Sequence, residues 1–243
     1  MNSAVKTSKT YWYLQGARVL FTLPSLFLAS AILGFAGLAV EVGIPMLEVA
    51  FMNAAIWALP SKLILISSIV SGTSLLATSI AVALASVRFV LMVASLFPEI
   101  RLKSTPTWQL LLLSHFVAIT AWVYSFEKIK DIPREMRVTF FAGAGSSLVT
   151  FNTLMILATY RIIETFPPEV LGALFFLTPI YFLYSLWRNA RDYSVYIAMV
   201  LGLVLSPIAT ILFPQVDILV AGIIGGSLAA GIYVLSERRK HAQ

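Results

Sequence analysis

Residues 19–40 read VLFTLPSLFLASAILGFAGLAV and contain no Asp, Glu, Lys or Arg. A helix needs roughly 20 apolar residues to cross the hydrocarbon core of a bilayer, so this stretch alone has the length of one span. Six more uncharged stretches follow it, at 63–87, 104–126, 138–160, 170–187, 193–216 and 218–236. The pattern predicts an all-α polytopic membrane protein.

The composition excludes the classes of protein that face water. The chain has 243 residues, of which 59% are hydrophobic and 12% are charged, whereas a soluble domain has about 25% charged residues. This excludes a soluble enzyme, a nucleic-acid-binding domain and a disordered chain. With no Cys and two His, the chain offers neither thiol chemistry nor a His-rich metal site, and we expect no cofactor and no metal.

Residues 45–98 decide the number of spans. Only Glu48, Lys62 and Arg88 interrupt them, and two spans separated by a turn at 71–74 use all of their apolar residues. We therefore predict eight spans with both termini cytoplasmic, near 19–40, 45–68, 73–97, 105–126, 138–160, 169–187, 193–213 and 216–236. Residues 1–18 then form a cytoplasmic segment, 19–236 a single membrane domain and 237–243 a basic cytoplasmic tail.

The distribution of cations favours eight spans over seven. Of the 17 Lys and Arg residues, 12 fall on the cytoplasmic side and 3 on the other side, namely Arg101, Lys103 and Arg161. An excess of cations on cytoplasmic loops is what the positive-inside rule expects, and it also accounts for the net charge of +6. The first span is expected to be retained, because no small-x-small cleavage site follows it.

Two cations are predicted inside the membrane. Arg88 is about 15 residues into its span, roughly 22 Å deep, so it should face protein or water rather than lipid. Lys62 follows Ser61 and Pro60, and a proline in a span indicates a helix break of the kind that transporters use for binding. For both cations the alternative is a side chain that reaches the nearer interface, Arg88 with the help of Glu99.

Other polar groups at depth are further candidates. His115 lies in the middle of the fourth predicted span beside Ser114, where an imidazole can relay protons or make a structural hydrogen bond. The fifth span is dense in small polar residues and should face the protein interior, and Asn152 is its first candidate. Prolines 24, 179 and 207 predict further breaks.

Catalytic patterns are lacking in the sequence. One membrane His without a second His or a carboxylate pair predicts that the chain is not an enzyme, although a lipid-modifying enzyme with His115 as base is one reading. No Gly-rich phosphate loop is present, so the chain is not expected to hydrolyse ATP.

Five segments resemble one membrane family. They are Leu23–Glu48 (LPSLFLASAILGFAGLAVEVGIPMLE), Trp57–Leu63 (WALPSKL), Ala85–Pro98 (ASVRFVLMVASLFP), Leu113–Ala118 (LSHFVA) and Phe141–Thr153 (FAGAGSSLVTFNT). In this order and spacing they resemble the AzlC-type family, the larger subunit of bacterial branched-chain amino-acid exporters. Arg88 stands at the family's arginine. Lys62 replaces a glutamine, Ser86 and Phe89 replace the Asn and His around that arginine, and His115-Phe116 replaces an Asp-Glu pair.

The resemblance implies a permease of the bacterial inner membrane. It would export branched-chain or other small hydrophobic amino acids by secondary, proton-coupled transport, together with a small AzlD-type membrane subunit. Arg88 would hold the substrate carboxylate, the break near Pro60 would supply backbone dipoles and His115 would couple protons. Lys62, Ser61, Ser114 and Asn152 complete the candidate site.

The alternative is a non-transporting membrane scaffold or assembly subunit derived from the same family. The altered polar positions favour it. Gly222, Gly226 and Ala230 follow the four-residue step that allows helices to pack closely in lipid. A scaffold would tolerate changes at its polar residues and lose its association when Gly226 is enlarged.

Overall fold

The structure, a computed structural model, describes residues 8–189, 193–212 and 217–241. Every regular element in these ranges is helical, which confirms the all-α class there. Residues 1–7 of the predicted N-terminal segment, residues 190–192 and 213–216, and residues 242–243 of the predicted tail lie outside the described residues.

Twelve α-helices occur in the described ranges. In chain order they are α1 (Lys9–Ala17), α2 (Leu23–Glu41), α3 (Met46–Ala55), α4 (Leu59–Val70), α5 (Leu75–Ser86), α6 (Arg88–Ile100), α7 (Thr107–Ser114), α8 (Ile119–Lys128), α9 (Arg137–Ile163), α10 (Pro168–Asn189), α11 (Tyr193–Leu212) and α12 (Asp217–His241). Short 3-10 turns at Arg18–Phe21, Ile129–Asp131 and Arg134–Met136 join some of them.

Only some of these helices are both long enough and apolar enough to cross a membrane. Among the described residues, α2, α11 and the stretch Arg134–Ile163 are long and apolar enough to cross, and α5 with α6 is a fourth candidate, broken between the two helices. Several predicted spans are instead divided into shorter helices, so the expected count of eight is not confirmed.

The chain divides into two compact units. Unit 1 comprises Met1–Ser74 and Ser86–Thr178, and unit 2 comprises Leu75–Ala85 and Pro179–Gln243. In unit 2, α11 packs along α12. A Cβ added at Gly225 would lie 3.6 Å from the Gly202 nitrogen, whereas one added at Gly222 or Gly226 would meet open space.

Helix α9 is the centre of unit 1, and it packs against α1, α2, α3 and α8. Its crossing with α1 is a backbone-to-backbone contact. A Cβ added at Gly16 would fall on the Phe140 carbonyl oxygen, and one added at Gly143 would fall on the Tyr13 carbonyl oxygen. Residues 9–17 of the predicted cytoplasmic segment are thus a helix seated on α9, and glycine at both positions makes the approach possible.

Helices α7 and α8 form a pair in which the start of α7 and the end of α8 both lie at the same end of α9, which we call the Arg137 end. Before α7, Glu99 accepts a hydrogen bond from Arg137 Nη1 through its carbonyl oxygen (2.9 Å). Within the break at 115–118, Phe116 packs on Gly145, and after it Tyr124 of α8 stacks on Phe140. Residues 105–126, predicted as one crossing helix, therefore reverse direction.

Helices α3 and α4 form a second pair that enters from the other end of α9, which we call the Ile163 end. The Tyr160 hydroxyl donates to the Ile44 carbonyl just before α3, and Asn53 near the end of α3 reaches Thr153. The chain is extended at Ile56 and Ala58, and α4 then begins. Leu63 of α4 lines a cavity at the Ile163 end, so this predicted span also turns back.

Two of the predicted helix breaks lie directly before their prolines, at Thr22 before α2 and at 56–58 before α4. The break predicted at Pro179 is absent, because α10 continues from Pro168 to Asn189. Pro24 and Pro60 lie in the first turns of α2 and α4, where the missing N–H has no helical partner in any case. Pro207 lies inside α11 without ending it. The break at 115–118 contains no proline; the chain there is instead held by contacts with α3 and α9.

The α7–α8 reversal also changes the predicted distribution of cations. Arg101 and Lys103 line one cavity together with Arg134, at the Arg137 end. From the sequence, Arg101 and Lys103 were predicted on the opposite side of the membrane from Arg134. Of the three cations predicted outside, only Arg161 lies at the Ile163 end, so among the described residues of unit 1 the cations are more concentrated at the Arg137 end than the sequence predicted.

Candidate functional site

The two helix pairs meet beside the middle of α9 at their breaks, residues 56–58 and 115–118 with the helix ends that flank them, which we call the tips. His115 Nε2 lies 2.9 Å from the Ala54 carbonyl oxygen in the last turn of α3, a group that has no partner within its own helix. A carbonyl oxygen only accepts, so Nε2 carries the hydrogen and the neutral ring keeps Nδ1 as an acceptor. Along α9, Gly145 is about 12 Å and Thr153 about 24 Å from Arg137, in a helix about 40 Å long.

The Lys62 ammonium is fully buried next to this junction. Its Nζ donates to Asn53 Oδ1 at 2.5 Å, and it lies 4.9 Å from the Phe35 ring centroid and 5.8 Å from that of Trp57. Among the described residues no carboxylate pairs with Lys62. Its charge is therefore stabilised by one amide oxygen and two aromatic rings.

Asn53 joins the ammonium to α9. Its Nδ2 donates to Thr153 Oγ1 at 3.0 Å, and Asn53 is itself fully buried. Lys62 is a donor only, so it fixes the orientation of this amide, with Oδ1 towards Nζ and Nδ2 towards Thr153. The result is a chain of hydrogen bonds from α4 through α3 to α9.

Among the described residues, four buried side-chain polar atoms have no hydrogen-bond partner. They are the donor Trp57 Nε1, the acceptor Asn152 Oδ1 on α9, and the hydroxyls Thr120 Oγ1 in the first turn of α8 and Ser125 Oγ. An unsatisfied buried polar group costs about 1–3 kcal/mol, so native proteins keep few of them without a reason. Unsatisfied donors and acceptors of this kind are suited to a polar ligand that offers both acceptors and donors.

The remaining predicted site residues divide into those near the tips and those elsewhere. Ser61 Oγ lies 3.0 Å from Ser86 Oγ, which joins the first turn of α4 to the residue two before Arg88. Arg88 is exposed at the start of α6, with its guanidinium 5.3 Å from the Phe89 ring. Ser114 Oγ donates to the Leu111 carbonyl at 2.7 Å, a hydrogen bond within its own helix α7.

Sequence analysis did not identify Asn53 as a site residue. It is the only Asn in the predicted span 45–68, so a signal was present. Asn152 was identified, and its Nδ2 donates to the Leu148 carbonyl while Oδ1 is unpartnered. Trp57 was noted only as part of a family segment, because nothing in the sequence indicates whether an indole N–H has a partner.

The comparison with known proteins identifies a family. A family model described as AzlC protein matches residues 25–166, which include α2 to α9 and both helix pairs. The chain belongs to the AzlC family. No curated protein and no solved structure matches it.

AzlC proteins form a family of membrane transporters. The matched range ends before most of unit 2 and covers the part of unit 1 in which the tips meet. The matched range includes Lys62, Asn53 and His115. Within the described residues no cluster of His, Asp and Glu is arranged to hold a metal ion.

Proposed function

We propose that this AzlC-family chain exports branched-chain or other small hydrophobic amino acids from the cytoplasm. Transport would be secondary and proton-coupled, across the bacterial inner membrane, with a small AzlD-type subunit. One observation carries the proposal: the Lys62 ammonium is buried at a helix break with a neutral amide as its hydrogen-bond partner. A buried cation of this kind is strongly stabilised when an anion binds to it.

The groups around Lys62 match a carboxylate. Trp57 Nε1 is a free donor, and the first turn of α4 presents backbone N–H groups without helical acceptors. The N-terminal end of a helix also carries partial positive charge. Lys62 therefore takes the role of carboxylate anchor that the resemblance implies for Arg88.

The unpartnered acceptor Asn152 Oδ1 matches the other end of an amino acid. It follows Leu148 by one turn and precedes Thr153, to which Asn53 binds. A substrate ammonium can donate to it and remove its desolvation penalty. His115, at the junction of the two tips, is the proposed proton-coupling group, because protonation of Nδ1 would add a charge beside the contact that joins the helix pairs.

The exposure of Arg88 favours the proposed partner subunit. It is exposed on α6 and lies eleven residues, or about 16 Å of helix, from Glu99 at the Arg137 end. This depth is near the middle of a hydrocarbon core about 30 Å thick, where a cation is costly against lipid. A small membrane subunit that presents a carboxylate or a polar surface to Arg88 would remove that cost.

Efflux tests the proposal. Cells preloaded with leucine, isoleucine, valine or methionine are compared with and without this chain, alone and together with a neighbouring small membrane subunit. We expect faster efflux with the pair and loss of that efflux for Lys62→Met, while the matched control Lys103→Met at the exposed loop transports as wild type. Wild-type efflux by Lys62→Met would overturn the anchor. No efflux of any amino acid would overturn the exporter function and favour the scaffold alternative.

A further inference from the structure

Unit 1 has a separate cavity at the Ile163 end. Its volume is about 440 Å³, within the range of roughly 300–1,000 Å³ that small-molecule sites occupy. Gly34 and Gly37 of α2 line it, together with apolar side chains such as Leu38, Leu63 and Leu171.

The polar side chains of this cavity are acidic. Glu41, the last residue of α2, and Glu164, which follows α9, both line it. Glu164 lies 3.7 Å from Arg161, whereas Glu41 has no ion pair among the described residues. Both helices also end here, and a helix C-terminus carries partial negative charge.

Helix α10 begins at the same cavity, and its first turn adds few free backbone donors. Proline at 167 and 168 has no N–H, and the N–H groups of Val170 and Leu171 both bond to the Pro167 carbonyl. The cavity is therefore apolar with a negative edge. Its chemistry fits a small molecule with an aliphatic body and an ammonium group.

The cavity lies next to the buried cation. Gly34 and Leu63 line it, and the residues that follow or precede them, Phe35 and Lys62, form the cation–aromatic contact at 4.9 Å. The same turns of α2 and α4 thus serve both places. A molecule that left the Lys62 site towards the Ile163 end would meet this cavity.

We infer that the cavity is an exit vestibule that holds an aliphatic amino acid by its side chain and by its ammonium group, which binds Glu41. The inference rests on the proposed function, since the occupant is the exported substrate. The Ile163 end is the end that the sequence places outside the cytoplasm, as export requires. Selection for an ammonium would occur at Glu41, and selection for a carboxylate would occur at Lys62.

Binding of a leucine analogue without a carboxylate tests this vestibule directly. The probe is radiolabelled 3-methylbutylammonium, and the protein is the full chain in lipid nanodiscs. We expect saturable binding that Glu41→Gln weakens by about tenfold, because a charge-assisted hydrogen bond is lost. The matched control is Glu169→Gln in the first turn of α10, which does not line the cavity and should bind the probe as wild type.

A second variant tests the cavity without changing charge. A Cβ at Gly172 would meet open space, so Gly172→Leu is expected to fold and to abolish binding by filling the volume. The neutralised probe 3-methylbutanol should bind at least tenfold more weakly than the ammonium. Equal binding of the two probes, or wild-type binding by Glu41→Gln or Gly172→Leu, would overturn the vestibule.

Different results would overturn the vestibule and the exporter function. Lys62→Met should leave binding of 3-methylbutylammonium unchanged while it abolishes leucine efflux. Intact leucine efflux without any binding of the ammonium probe would overturn the vestibule alone. Saturable, Glu41-dependent binding without amino-acid efflux would support the cavity as an ammonium site and overturn the occupant that we assign to it.

Discussion

The contact between Lys62 and Asn53 predicts a strong energetic coupling. Asn53→Ala removes the amide oxygen that accepts from the buried ammonium and also the donor to Thr153. A hydrogen bond to a charged group contributes about 1.5–3 kcal/mol, so we expect this variant to lose at least that much free energy of unfolding. The ammonium is then buried without a hydrogen-bond partner.

Lys62→Met should behave differently, although it removes the same contact. Methionine is unbranched and of similar length, and replacing a buried charge by an apolar side chain is often neutral or stabilising. The cost that remains is one unsatisfied Asn53 oxygen. In the double variant neither the ammonium nor the amide is left, so its loss should be smaller than the sum of the single losses by about 1.5–3 kcal/mol.

The assay is denaturant unfolding of the purified protein in detergent, measured for wild type, both single variants and the double variant. The expected coupling is equivalent to roughly a 10- to 150-fold change in the unfolding equilibrium constant. Thr153→Ala is the control, since it removes only the neutral acceptor and should cost about 0.5–1.5 kcal/mol. Additivity within about 0.5 kcal/mol would refute the reasoning, because it would mean that the ammonium and the amide do not stabilise each other.

Three further predictions follow from the packing and the topology. The chain has no native cysteine, so Lys103→Cys and Arg134→Cys can be labelled singly with an impermeant maleimide; both should react from the same side of the membrane, and labelling from opposite sides would restore a crossing at 105–126. Gly143→Ala should destabilise the protein by more than 2 kcal/mol, roughly an overpacking cost, whereas Gly222→Ala, which meets open space, should be neutral or stabilising by up to about 1 kcal/mol; equal thermal stability of the two variants would contradict the α1–α9 contact. His115→Ala should slow efflux and leave substrate affinity within about twofold, because it loosens the junction of the tips without removing a substrate contact; an unchanged maximal rate would count against that role.

For unit 1, the sequence predicts the helical class and the family better than it predicts where the chain crosses the membrane and where it turns back. The all-α class follows from apolar stretches, and the membership of the family follows from segments such as 141–153. Hydropathy cannot distinguish one crossing helix from two half-length helices that reverse, because both contain about 20 apolar residues. This is why residues 105–126 were predicted as a span, although His115 lies at their turning point.

Burial and partners explain which site residues were predictable. Lys62 is a cation in an apolar stretch, and Asn152 lies in a span that is dense in small polar residues; both patterns are visible in the sequence. The contact of Lys62 with Asn53 joins two helices across an extended break, and the contact of His115 with Ala54 joins two helix pairs. Contacts of this kind depend on the tertiary arrangement, so a linear pattern does not indicate them.

The reversal of α3 and α4 has a consequence for synthesis of the chain. The hydrogen bond between Asn53 and Thr153 joins residues that are 100 positions apart, and at about 5–20 residues per second their synthesis is separated by roughly 5–20 s. Helix α3, with ten residues, is too short to cross the membrane on its own. During that interval the end of α3 lacks the α9 surface that it contacts. Helices α3 and α4 are therefore inserted early and pack against α9 only after α9 has left the ribosome.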